Sequence, residues 1–223
     1  MTGGSMVRIT PELLLQGYGA GIFPMAESRE AAGFHWVDPR QRGILPLDGF
    51  HISRSLSRRI RRWDYIPRID SDFTGVVRAC ADRDETWINP ALFDLYQALH
   101  AMGAAHSVEI WVGDRLAGGV FGIVLGGAFF GESMFSAETG GSKVALAWCM
   151  HRLRAGGFSL FDTQFLTPHL ASLGGIEISR SAYRSRLASA LLRPASFTPS
   201  GYCPSPSEVA SSSGASGATS GGL

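Results

Sequence analysis

Three residues have the types and spacing for chemistry on a polar group. Phe161-Asp162-Thr163-Gln164 reads as a strand end, and alternation puts Asp162 and Gln164 on one face, Phe161 and Thr163 on the other. A carboxylate and a carboxamide sharing a pleat beside so much apolar sequence either complete a buried hydrogen-bond network or handle a reacting group. Glu132 lies among Phe129, Phe130, Met134 and Phe135. It is either an edge-strand residue facing water or an acidic site for a cationic ligand. The second reading gains weight if the strand of Asp162 runs beside it.

Other candidates carry weaker signals. Gly140-Gly141-Ser142-Lys143 precedes an apolar helix, where free backbone N–H groups would suit an anion, although the spacing is not that of a P-loop and Ser142 can act simply as an N-cap. His169 follows Pro168 without a recognisable triad partner or metal-ligand spacing, so it reads as a hydrogen-bonding residue. The helix Ser53 to Trp63 carries Arg54, Arg58, Arg59, Arg61 and Arg62. Arg54, Arg58 and Arg61 share one face with Arg62 adjoining, opposite Leu56, Ile60 and Trp63. That is a solvated face or a local footprint for phosphate. Trp36, Trp63, Trp87 and Tyr96 are aromatic enough to stack on bases, or to fill a core.

The elements that must position these residues follow from pattern and punctuation. The chain has 223 residues, 45% of them hydrophobic and 17% charged, with a formal charge of +1. There is ample material for a core and no global attraction to polyanions. Cys80, Cys149 and Cys203 are odd in number and far apart, which predicts a reduced, cytoplasmic protein. No run is long and apolar enough to span a bilayer. Thr10-Pro11 and Asn89-Pro90 are helix starts, each a capping residue with proline at the first position. Residues 107–112, 116–125 and 128–135 form a β-meander with turns at Gly113-Asp114 and Gly126-Gly127. A helix over 142–154, a strand over 158–163, a short helix near 168–173 and a last helix over 182–192 follow. This order predicts an α+β fold with a mixed sheet. It divides into a small N-terminal lobe over 1–65, a second domain over 66–193, and a Ser/Gly-rich tail over 194–223 that is expected to be disordered.

Read together, the motifs resemble the bacterial leucyl/phenylalanyl-tRNA–protein transferases. They are GIFPM at 21–25, WVDPR at 36–40, FHISRS at 50–55, TWI at 86–88, HSVEIW at 106–111, GGVFG at 118–122, GESMFS at 131–136, SKVAL at 142–146 and the run from Asp162 to Gly174. The resemblance covers roughly residues 10–192. It implies transfer of leucine or phenylalanine from leucyl-tRNA or phenylalanyl-tRNA to the α-amino group of proteins beginning with Arg or Lys, marking them for N-end rule degradation. It also implies a GNAT-like catalytic domain behind a small α/β lobe, no metal or dissociable cofactor, no membrane partner, and a monomer.

On the same resemblance, Asp162 and Gln164 are the catalytic pair, with Gln164 accepting a hydrogen bond from the attacking nitrogen while donating to Asp162. Glu132 lies near the acceptor amine. Val120, Phe129, Leu146, Leu153 and Phe161 form the apolar pocket, where Val120 and Leu153 imply extra room. Trp87 and Tyr96 lie near the terminal adenosine. Met25 replaces a tryptophan found in many members, and the basic helix faces tRNA. The alternatives are an acyl-CoA-dependent N-acetyltransferase, which lacks its pyrophosphate loop here, and a non-catalytic binder of basic N-termini.

Overall fold

The computed structural model describes residues 9–62 and 64–212. Trp63, the first eight residues of the expected N-terminal lobe and residues 213–223 of the expected tail lie outside the described residues. Helix α1 (Pro11–Gly19) starts where Thr10 Oγ1 accepts from Leu13 N at 3.3 Å. It runs into β1 (Phe23–Met25), which pairs antiparallel with β2 (His35–Val37). Next come β3 (Gln41–Ile44), the basic helix α2 (Arg54–Arg62), β4 (Ile66–Ile69) and α3 (Phe73–Ala81). Helix α4 (Pro90–Ala101) is capped by Asn89, whose Oδ1 accepts from Leu92 N at 2.9 Å.

The predicted meander is present as β5 (Ala105–Val112), β6 (Arg115–Leu125) and β7 (Ala128–Ser136). Helix α5 (Gly141–Ala155), β8 (Leu160–Gln164), α6 (Pro168–Ser172), β9 (Ile176–Ser179), α7 (Arg180–Leu191) and α8 (Pro206–Ser211) complete the order. Seven strands form one sheet in the order β4-β5-β6-β7-β8-β3-β9. Its β7–β8 pair is parallel and the others are antiparallel, so the fold is α+β with a mixed sheet.

Side-chain alternation divides the interior in two. Val120, Phe129 and Phe161 face one cluster with Leu56 and Ile60 of α2, Leu146 and Leu153 of α5, and Val209 of α8. Phe121, Phe130 and Leu160 face the other with Leu14 and Tyr18 of α1, Val76 of α3, Tyr96 of α4 and Leu187 of α7. The sheet is thus covered on both faces.

Three placements differ from the sequence reading. Strand β3 lies between β8 and β9 in the seven-stranded sheet, and α2 packs against α5 and α8, so residues 41–62 join the body expected to begin at 66. Residues 194–212, expected within a disordered tail, are folded instead. Phe197 stacks on His106 at 4.5 Å and on Phe129 at 5.8 Å, while Val209 is fully buried. A few well-spaced apolar residues order a segment whose average composition is polar. Helix α5 is capped by Gly140, with φ of 80°, and not by Ser142. The expected cap sits two residues too far in, at the second helical position, and the preceding Gly141 packs against Gly118 where neither glycine has room for a Cβ.

Candidate functional site

Strands β7 and β8 pair from Ala128↔Leu160 to Phe130↔Asp162 and then separate. A cavity of about 900 Å³ occupies this region, lined by Gly131, Glu132 and Met134 on β7 and by Phe161, Thr163 and the following Phe165 on the other side. Val120, Leu146, Trp87, Asp82, Arg83 and His169 complete much of its wall. Gly131 is required here, since a Cβ would stand 2.4 Å from the Phe161 ring.

Glu132 reaches this wall because of a β-bulge. Gly122 pairs with Gly131 and Phe121 with Ser133, leaving Glu132 as the extra residue between them. Its side chain is 7% exposed and accepts three hydrogen bonds. Tyr18 Oη donates to Oε1 at 2.8 Å, Gln164 Nε2 to Oε1 at 2.9 Å, and Tyr96 Oη to Oε2 at 2.8 Å. Burial pushes its pKa up to about 7, with a smaller push from Asp162, and the three donors only partly oppose this. Burial also drives Tyr18 and Tyr96 well above the ordinary phenol value, so both remain neutral donors.

Asp162 has a different set of partners. Its Oδ1 accepts from Arg42 Nε at 2.9 Å and from the Gln164 backbone N at 2.8 Å. Its Oδ2 accepts from Arg42 Nη2 at 2.6 Å and from Tyr183 Oη at 2.7 Å. Arg42 lies between the Phe23 and Tyr183 rings, 4.4 Å from each centroid, and donates to Gly21 O at 3.1 Å. Burial works against the guanidinium charge, but the hydrogen bonds and charge of Asp162 outweigh it and raise the Arg42 pKa.

The expected hydrogen bond from the Gln164 carboxamide to Asp162 is therefore replaced by one to Glu132. Strict alternation fails because Gln164 has φ of 64°, a left-handed conformation costly for a residue with a Cβ. The Asp162 carboxylate holds the Gln164 main chain there, and the side chain turns toward β7.

The other expected residues separate into wall and support. Val120, Leu146, Phe161 and Trp87 line the cavity. Phe129 and Leu153 are buried in the cluster behind it, with Phe129 edge-on to Phe161 at 4.9 Å. Tyr96 presents no free face for stacking. It is fully buried against Phe121 and Trp87 and serves Glu132 through its hydroxyl. Met25 is partly buried among the α1–α4 residues and does not line the cavity. His169 does line it, and burial together with Lys143 lowers its pKa.

On α2, Leu56 and Ile60 face the core, while Arg54, Arg58, Arg61 and Arg62 are exposed. Arg62 pairs with Asp64 at 2.8 Å, and Arg61 reaches Ser211 at 3.2 Å. Arg59 is partly buried, 3.8 Å from Glu138. Arg42, Tyr18 and Tyr183 were not singled out by sequence. The available signal was an arginine directly before the apolar run Gly43-Ile44-Leu45, where a charge needs a partner.

The Glu132 geometry has a consequence for stability. Between pH 4.5 and about 7 the folded state keeps a proton that the unfolded chain has released. Wild-type stability should therefore fall as pH rises through this window, by on the order of 3 kcal/mol. Glu132→Gln lacks this titration. Urea unfolding across the window should show the difference moving in favour of the variant, whereas parallel pH profiles would contradict the assignment.

The family model described as leucyl/phenylalanyl-tRNA protein transferase matches residues 44–188, and that of its N-terminal domain matches residues 8–40. A leucyl/phenylalanyl-tRNA–protein transferase of Cereibacter sphaeroides is 66% identical over 201 residues, covering 90% of this chain and 94% of that one. A protein of the same name from Ruegeria sp. is 62% identical over 189 residues, covering 85% and 90%. Among solved structures, L-PGS from Bacillus licheniformis is 15% identical with a TM-score of 0.40, over 74% of this chain and 56% of that one. With both family models accounting for nearly all of residues 8–188 and relatives matched almost end to end, this chain belongs to the leucyl/phenylalanyl-tRNA–protein transferase family.

Proposed function

We propose that the chain moves leucine or phenylalanine from aminoacyl-tRNA to the α-amino group of proteins beginning with Arg or Lys, marking them for N-end rule degradation in the cytoplasm. The observation that carries this reading is the cavity between β7 and β8, whose wall combines an apolar surface with Glu132, the acceptor of the Gln164 carboxamide. An aminoacyl ester is already activated, and an α-amino group has a pKa of about 8. The enzyme's tasks are to hold the two substrates together, guide a proton and stabilise the developing oxyanion.

Val120, Leu146 and Phe161 suit the aliphatic or aromatic side chain of the transferred residue, and Phe129 and Leu153 fix the depth of that pocket from behind. Trp87 offers a ring at the cavity wall for the terminal base. Gln164 and Glu132 attend the amine, and Asp162 holds the Gln164 main chain in place. The antiparallel meander, the helix α5 and the parallel strand β8 support a GNAT-like catalytic unit. No helix among the described residues is long and apolar enough to cross a membrane.

The basic helix α2 supplies a surface for the tRNA backbone. Arg54 and Arg58 are exposed and have no ion pair among the described residues. Replacing both with Ala should reduce the slope of log affinity against log salt by about 2. An unchanged slope would remove α2 from the interface.

Purified protein, leucyl-tRNA and an Arg-starting peptide should yield leucyl-peptide without any acyl-CoA. Acetyl-peptide formed only with acetyl-CoA would favour the N-acetyltransferase reading. Peptide binding without either product would favour a recognition module.

A further inference from the structure

We propose that Glu132, reached through the Gln164 carboxamide, takes up the proton of the attacking amine, while Asp162 and Arg42 act only as positioning residues. This rests on the aminoacyl-transfer reading of the same cavity. It assigns the proton to a different carboxylate from the one adjacent in sequence.

The argument begins with counting acceptor sites. A carboxylate offers about four lone-pair positions. At Asp162 all four are used by Arg42 Nε, Arg42 Nη2, Tyr183 Oη and the Gln164 backbone N, and the side chain is fully buried. No position is left for the Gln164 amide. Glu132 has three donors among the described residues and keeps one lone-pair position free on Oε2, beside a cavity large enough for substrate.

The orientation of the Gln164 amide follows from the same chemistry. An ionised carboxylate only accepts, so the Gln164 nitrogen must face Glu132. This leaves Gln164 Oε1 as the free end, and it accepts no hydrogen bond among the described residues. That oxygen is the acceptor suited to an amine N–H. Asp162 contributes by holding the Gln164 main chain at φ of 64°, without which the amide would not turn toward β7.

The charged and titratable groups around Glu132 are Tyr18 from α1, Tyr96 from α4, Asp162 on β8 and Arg42 on β3. None of the ion pairs among the described residues includes Glu132. Burial with no directly paired cation among the described residues places its pKa at about 7, close to that of an α-amino group, so transfer between them is nearly balanced.

The step closes without a leftover proton. As nitrogen attacks the ester carbonyl, its proton passes to Gln164 Oε1 while Nε2 passes one to Glu132. When the C–O bond breaks, the proton on Oε1 goes to the departing ribose oxygen and Glu132 returns its proton to Nε2. The neutral amine and ester become an amide and a hydroxyl, and Gln164 and Glu132 recover their starting forms.

The test is kcat against pH at saturating leucyl-tRNA and Arg-starting peptide, with leucyl-tRNA binding checked separately for each variant. The wild type should show an inflection near pH 7. Glu132→Gln should lose it along with about 100-fold or more in kcat. Glu132→Asp, with its charge kept and its reach shortened, should retain the inflection at reduced rate. Tyr183→Phe, which removes one donor to Asp162 and leaves the ion pair, should lower kcat by less than about 10-fold and keep the inflection.

An inflection that survives in Glu132→Gln, or disappears in Tyr183→Phe, would overturn the proposal. So would a Glu132→Asp enzyme as fast as the wild type. No leucyl-peptide from the wild type would defeat the transfer reading itself, and this inference with it.

Discussion

The site depends on the buried ion pair between Arg42 and Asp162. Both residues are almost fully inaccessible, and removing two charges from water is unfavourable unless geometry and further hydrogen bonds offset it. Here the offset comes from a bidentate contact, the Tyr183 hydroxyl, the Gly21 carbonyl and two aromatic faces on the guanidinium. These partners come from the turn after α1, from β1, β3, β8 and α7. The pair therefore joins the N-terminal part of the chain to the first turn of α7. The Gln164 main chain donates to the same carboxylate, so this buried ion pair also sets the conformation of Gln164.

The second constraint is how the sheet opens. A parallel pair of strands in an otherwise antiparallel sheet needs a crossover, and α5 provides it between β7 and β8. The two strands then part after three paired residues, leaving the cavity between a bulge on one and a left-handed residue on the other. Both irregularities aim polar groups at each other, and together they produce the Glu132–Gln164 contact. Apolar residues expected to line the substrate pocket divide accordingly. Those beside the opening face it, while Phe129 and Leu153 pack behind and set its shape.

Much of this was legible in the sequence, for local reasons. Proline after a capping residue fixed the starts of α1 and α4, and two glycine-containing turns fixed the meander. Alternation correctly separated Phe161 and Thr163 from Asp162. What escaped was non-local or broke a local rule. Strand β3 is only four residues long and gains its place by pairing with strands more than a hundred residues later. Gln164 departs from alternation because a carboxylate two residues earlier holds its backbone. The bulge at Glu132 is set by the register against β6, which no pattern within β7 reveals. Residues 194–212 look disordered by composition because Phe197 and Val209 are few, yet each fills a prepared site in the core.

The central claim is that Glu132 is the carboxylate in the site that exchanges a proton near neutrality. Infrared difference spectroscopy across pH on the wild type and Glu132→Gln, with glutamate carbonyls isotopically labelled, observes that group directly. The account predicts a protonated glutamate band that converts to carboxylate near pH 7 in the wild type and is absent from the variant. A wild-type spectrum with no such band, or the same band surviving in Glu132→Gln, would contradict it.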